Sequence, residues 1–362
     1  MTEALQAIEL LRVRLPLKRA FTTSFGTSTD KVCVLVRAVG GDGAEGWGEC
    51  TAMEVPAYSA EWVDGAWLVL RDVLGPAALA GRDPGVRGHP MARAALEVAL
   101  TDLDLRRRGV SLAEHLGAVR DRVPCGVSLG IEDRVEDLID LVAHFVDAGY
   151  RRVKLKIEPG RDVDVVRAVR QSFPDTPLSV DANAAYDEGT ADALLGLDGL
   201  GLEYVEQPLP EDDLLGHIRL QHRMTTSICL DETITSAAVA RAAVELRACR
   251  VINVKLGRVG GLAETLRIQE VAAAAGVPLW CGGMLETGIG RAANVALAAL
   301  PGFTLPGDTS ASDRYFERDL TEPFVVDAHG TMAVPNGPGL GVTPIADVLR
   351  HVTTDRVIVR AA

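Results

Sequence analysis

The sequence predicts an α/β protein in which parallel strand–helix units close into a barrel behind an N-terminal α+β unit. Three observations carry this. After Val123, eight short β-branched runs alternate with helix-length segments. The polar residues ending the middle runs, Lys156, Asp181, Glu206, Asp231 and Lys255, are separated by 25, 25, 25 and 24 residues, about what one strand, one helix and two short loops require. Before Val123 the order differs, with strand-like runs first and helical periodicity afterwards. A doubly wound open sheet alternates in the same way, but eight units rather than five or six favour the barrel.

Taken in order, residues 1–123 begin with strand-like runs such as Ile8–Val13 and Val32–Val36, separated by Gly/Ser/Thr-rich turns at Phe21–Thr29 and Gly40–Gly46. Met91–Arg108 then repeats Ala95, Leu96, Ala99, Leu103 and Leu105 near a 3.6-residue period, which predicts a helix. Residues 124–320 supply the barrel. Its candidate strands are Pro124–Leu129, Arg152–Ile157, Leu178–Asp181, Glu203–Glu206, Ser227–Asp231, Val251–Lys255, Val277–Cys281 and Phe303–Leu305. Residues 321–362, with Pro323, Pro335, Pro338 and Pro344 and little helical periodicity, are expected to pack back on the N-terminal unit.

Composition narrows the function classes. The 362 residues are 48% hydrophobic and 24% charged, enough apolar sequence for a large core. A net charge of −13 without a Lys/Arg block argues against nucleic acid or an anionic membrane surface as partner. Cys33, Cys50, Cys125, Cys229, Cys249 and Cys281 lie far apart, without zinc-site or disulfide-framework spacing, and read as buried thiols in a reducing compartment. Charged residues interrupt Met1–Pro16, and no apolar run is long enough to span a bilayer, so a cytoplasmic setting is expected.

Barrel enzymes carry catalytic groups at the C-terminal ends of their strands. Three successive candidate strands end in acids, Asp181, Glu206 and Asp231. One such Asp can simply cap the following helix, but three in register repel one another unless a cation sits between them. Hard oxygen donors suit Mg²⁺ or Mn²⁺. Asn183 and Glu232 adjoin the acids, as outer contacts or as turn residues.

Lysines end the flanking strands. Lys154 and Lys156 share the inward face, with Leu155 on the other, and Lys255 lies beyond the acids. An inward ammonium is costly to bury, so these lysines either neutralise the acids or act as bases on a carbon acid held between Lys156 and Lys255. Nearby cations, Arg258 among them, are expected to depress a lysine pKa. In the stretch Gly282-Gly283-Met284-Leu285-Glu286-Thr287-Gly288-Ile289-Gly290, glycines let backbone approach a ligand and the helix starting near Gly290 offers amides to an anion. It lacks the full dinucleotide fingerprint. A polar loop around Phe25, together with Met53 and Tyr58, is a candidate lid, and Ser128 on the first barrel strand completes the candidate substrate contacts.

Together Lys154-Leu155-Lys156, Asp181-Ala182-Asn183, Glu206-Gln207-Pro208, Asp231-Glu232 and Asn253-Val254-Lys255 resemble the muconate-lactonising subgroup of the enolase superfamily. Ser24-Phe25-Gly26-Thr27, Gly46-Trp47-Gly48-Glu49-Cys50, the stretch from Gly282 and Leu305-Pro306-Gly307-Asp308-Thr309-Ser310 resemble its o-succinylbenzoate synthase and N-succinylamino acid racemase branch. The resemblance implies a modified (β/α)₇β barrel with an α+β capping domain, commonly in a homo-oligomer. It implies Asp181, Glu206 and Asp231 as metal ligands, Lys156 and Lys255 as acid/base pair, and Lys154 as electrostatic helper. The substrate is then a small carboxylate. Dipeptide epimerisation, muconate cycloisomerisation and a catalytically silent barrel remain as alternatives.

Overall fold

In a computed structural model, which describes residues 4–23 and 26–360, strands β1 (Leu5–Thr23) and β2 (Gly26–Gly40) form a long antiparallel pair extended by β3 (Glu45–Cys50). Ile8, Leu10, Val32, Val34 and Val36 bury one face of this sheet against the helix Pro90–Arg108. Glycine permits the closest approach. A Cβ at Gly46 would lie 2.1 Å from the Ala99 carbonyl oxygen, and one at Gly48 2.0 Å from that of Ala95. The strand therefore rests directly on the helix backbone, and any larger residue would push the two layers apart.

The turn expected over Phe21–Thr29 is instead paired β-ribbon, with Phe21 opposite Ser28 and Thr23 opposite Gly26. Its threonines carry β-branched side chains that suit extended backbone, and the ladder supplies partners that a loop would have to find elsewhere. Phe25 itself lies outside the described residues.

Strand β4 (Arg122–Pro124) precedes seven parallel strands in sequential order: β5 (Gly126–Leu129), β6 (Arg152–Lys156), β7 (Leu178–Asp181), β8 (Leu202–Glu206), β9 (Ile228–Leu230), β10 (Val251–Val254) and β11 (Leu279–Cys281). The eighth expected strand, Phe303–Leu305, does not form a ladder. The segment around it bridges the sheet's edges through isolated bonds: Leu305 N donates to the Leu279 carbonyl at 3.2 Å, Asp308 N to that of Cys281 at 2.9 Å, and Gly126 N to that of Gly307 at 2.7 Å. Pro306, which has no N–H, interrupts any regular pairing there. The result is a curled seven-stranded α/β barrel sheet beside a separate antiparallel sheet.

Beyond residue 320, β12 (Thr331–Ala333) pairs with β4, and β13 (Thr353–Arg360) adds antiparallel to the outer edge of β1. The C-terminal segment thereby ties both parts of the fold together. All six cysteines are free and buried, and among the described residues no helix is long and apolar enough to cross a membrane.

Candidate active site

Alternation along β6 turns Lys154 and Lys156 inward while Leu155 joins the hydrophobic core outside the strand ring. Neighbouring strands bring acids to the same level, with Lys156 opposite Asp181 and Asp181 opposite Glu206 in register. Lys154 and the three acids are almost wholly buried, and their pairings are tight. Lys154 Nζ lies 2.7 Å from Glu206 Oε2, 2.9 Å from Asp308 Oδ2 and 3.2 Å from Asp181 Oδ2. Lys156 Nζ donates to Asp181 at 2.6 Å and to the Asn183 amide oxygen. Across the mouth, Lys255 Nζ donates to Asp231 Oδ2 at 2.8 Å and sits 4.4 Å from the centre of the Tyr58 ring.

These carboxylates decide the lysines' protonation. Burial alone lowers the pKa of Lys154 and Lys255, yet the surrounding carboxylates and, for Lys255, the Tyr58 phenol outweigh it and hold both above the usual lysine range. For Lys154 these are Asp308, Glu206 and Asp181, and for Lys255 Tyr58, Glu232 and Glu206. Lys255 is thus raised rather than depressed in this arrangement, because the carboxylates around it outweigh the cations. For Asp181, burial raises the pKa but Lys156 and Lys154 dominate and hold it well below the carboxylate range. Glu206 goes the other way, pushed up by burial and by the adjacent Asp181 charge.

That repulsion between Glu206 and Asp181 is what a divalent ion relieves, and oxygen donors on three successive strand ends have the chemistry to hold one. Each acid is presently turned onto an ammonium or guanidinium, and among the described residues no three His, Cys, Asp or Glu side chains converge on one point.

A cavity of about 320 Å³ opens above these groups, between the two sheets. Of the sequence-derived candidates, Met53, Tyr58, Ser128, Lys154, Lys156, Asp181, Asn183, Lys255, Gly283 and Met284 line it. Glu206, Asp231, Glu232, Arg258 and Gly282 do not. They support its floor: Asn183 Nδ2 donates to Glu232 Oε1 at 3.0 Å, and a Cβ on Gly282 would fall 2.2 Å from Asn253 Oδ1. Arg258 pairs with Asp231, donates to Tyr58 OH at 3.0 Å, and is tied to the Asn253 and Ile234 carbonyls. It shares Asp231 with Lys255.

Four supporting residues, Gln207, Asp308, Glu49 and Asp319, have no role that the sequence alone assigned. Gln207 Oε1 accepts from Asp231 N at 2.9 Å and Thr233 N at 3.2 Å, which fixes the turn carrying Asp231. Asp308 bridges Lys154 to the buried guanidinium of Arg152, 2.8 Å away, and both cations lie over the Trp280 ring. Glu49 occupies the N-terminus of the helix Gly288–Ala298, accepting from Thr287 Oγ1 at 2.7 Å and Gly290 N at 3.0 Å. Asp319 takes the Gly288 amide at 2.9 Å. The amides expected to bind a ligand anion are thus already satisfied by the protein's own carboxylates. Gly46-Trp47-Gly48-Glu49-Cys50 was visible in sequence as a motif, but its partner lies more than two hundred residues away.

Residues 7–117 match the mandelate racemase / muconate lactonizing enzyme N-terminal domain, and residues 137–348 the enolase C-terminal domain-like family. The chain is 54% identical to N-succinylamino acid racemase of Amycolatopsis sp, covering 98% of each protein. It is 48% identical to o-succinylbenzoate synthase of Geobacillus kaustophilus, over 93% of this chain and 92% of that one. Among solved structures, an enolase superfamily member from Listeria innocua superposes with a TM-score of 0.94 at 39% identity, covering 99% of both chains.

Proposed function

This chain belongs to the mandelate racemase and muconate lactonizing enzyme family of the enolase superfamily, and from that premise we propose that it abstracts the proton beside a substrate carboxylate. It is an enzyme of the racemase and dehydratase type. The observation that carries the proposal is the pair Lys156 and Lys255, which border one cavity from strands four places apart, with the three acid-bearing strands between them.

Members of the superfamily use a divalent metal, typically Mg²⁺. Asp181, Glu206 and Asp231 would hold it here. A bound ion would offset the charge of the three acids and supply electrostatic stabilisation to the substrate carboxylate as its α-proton leaves. Lys156, in its neutral form, accepts that proton as the C–H bond breaks. In racemisation the Lys255 ammonium then returns a proton to the opposite face. In dehydration the Lys156 ammonium instead protonates the departing hydroxide, which leaves as water, and Lys255 stays charged. Lys154, held by Asp308, places a fixed positive charge beside the carboxylate. Asn183 and Glu232 orient Lys156, while Arg258 and Tyr58 fix Asp231.

The substrates that the relatives' names support are N-succinylamino acids for racemisation, with o-succinylbenzoate as the product of dehydration. Met53, Tyr58 and Met284 give the cavity an apolar side for the group borne by the α-carbon. The same premise extends to a cap formed by residues 1–123 and 321–362 over a catalytic barrel of 124–320, a homo-oligomer, and a cytoplasmic setting. The test is to incubate the enzyme with Mg²⁺ and either enantiomer of an N-succinylamino acid in D₂O, following optical rotation and loss of the α-proton signal. Formation of o-succinylbenzoate is followed by absorbance in parallel. Turnover in either assay supports the proposal, and failure in both directs the assignment to dipeptide epimerisation.

A further inference from the structure

The cavity wall formed by Gly283, Met284 and Glu286 belongs to the barrel, but its anchors come from the antiparallel sheet. Lys31 on β2 is buried. Its Nζ donates to the Met284 carbonyl at 2.8 Å and lies 3.8 Å from Glu49 Oε1. Glu49 on β3 accepts from Thr287 Oγ1, Thr287 N and Gly290 N, with distances of 2.7, 3.1 and 3.0 Å to its Oε2. One ion pair therefore grips both ends of a four-residue turn. The Met284 side chain packs into the same apolar cluster as Tyr58, on the sheet side.

The turn needs such a grip. Leu285 sits at φ 55°, a left-handed conformation that its side chain disfavours and that the surroundings must impose. Inside the turn, Met284 N donates to Glu286 Oε1 at 2.8 Å, and Arg291 holds the Glu286 carbonyl at 2.9 Å. Those bonds stiffen the turn without tying it to the opposite side of the cavity. Lys31 and Glu49 provide that tie. Lys31 itself borders the cavity while Glu49 stands behind it, and neither is bonded to the lysines or acids of the floor, so they bear on where the substrate is held rather than on proton transfer.

We infer that Lys31 and Glu49 are positioning residues, an interdomain ion pair that presses the Gly283–Glu286 turn onto the bound substrate and so sets its affinity. The inference rests on the racemase reading for its substrate but not for its structural arm.

The experiment compares the full-length Mg²⁺-loaded wild type with Lys31→Met, Lys31→Arg and Glu49→Gln. Racemisation of an N-succinylamino acid gives kcat and KM, and hydrogen–deuterium exchange of the free proteins reports on residues 282–290. Losing a charged donor to the Met284 carbonyl is expected to raise KM about tenfold in Lys31→Met, with kcat within about twofold. Exchange should quicken in the turn and stay unchanged in β6 to β9. Lys31→Arg, which can still donate, should restore both. If Lys31→Met does not fold, Glu49→Gln, which keeps the side-chain shape, carries the same expectation. Unchanged KM, unchanged exchange in the turn, or faster exchange throughout the barrel would each overturn the inference. If wild type turns over no N-succinylamino acid, the substrate reading fails separately and the exchange arm alone decides.

Discussion

Asp308→Asn is expected to destabilise the fold strongly while preserving its shape. Asp308 is buried between Lys154 Nζ at 2.9 Å and Arg152 Nη2 at 2.8 Å. Burial raises its pKa, but Lys154 and Arg152 outweigh that and hold it at about 2 against 3.8 for a free side chain. At about 1.4 kcal/mol per pKa unit, the difference corresponds to roughly 2 kcal/mol of stability at neutral pH. Lys154 keeps Glu206 and Asp181 after the substitution. Arg152, fully buried, keeps the Pro306 carbonyl, the Trp280 face and the more distant Glu206 charge, but loses its one directly paired acid. Leaving a buried cation without its acid costs ~3–5 kcal/mol in comparable cases, so ~3 kcal/mol is the expected loss. Over a chain of this length that lowers the melting temperature by about 4 °C. Because the folded pKa is depressed, the contribution is complete above about pH 4 and disappears as pH falls through about 2. Urea titrations followed by circular dichroism at pH 7 and pH 3 measure both. A variant within about 0.5 kcal/mol of wild type at pH 7, or a gap that widens on acidification, would refute the reasoning.

Chelation followed by dialysis should abolish turnover, with Mg²⁺ or Mn²⁺ restoring it, and full activity in metal-stripped protein would rule the ion out. Lys156→Ala and Lys255→Ala should each stop racemisation, while the variant retaining the correct base still exchanges the α-proton of one enantiomer with D₂O, as read by proton NMR. Arg258→Ala should lower kcat/KM for racemisation more than for o-succinylbenzoate formation. It removes a partner that Asp231 shares with Lys255, and only racemisation needs Lys255 to exchange a proton; equal losses in the two assays would discard this argument.

The barrel and its charged mouth were legible in the sequence because each rests on local pattern. Strand length, the helix that follows and the two-residue alternation of a strand together bring Lys156, Asp181, Glu206 and Lys255 into one ring, whatever the rest of the chain does. Long-range pairing decided the remainder. The Phe303–Leu305 run has strand-like composition but meets only isolated partners from the sheet's edges. The helix beginning at Gly288 advertised free amides, which Glu49 fills from 238 residues away in sequence. Lys31 reaches the Met284 carbonyl across 253 residues, and Asp308 reaches Arg152 across 156. Nothing within a strand's own length distinguishes such a residue from an ordinary surface charge. Its role is created only when burial strips the charge of water and forces it to find a partner on another element.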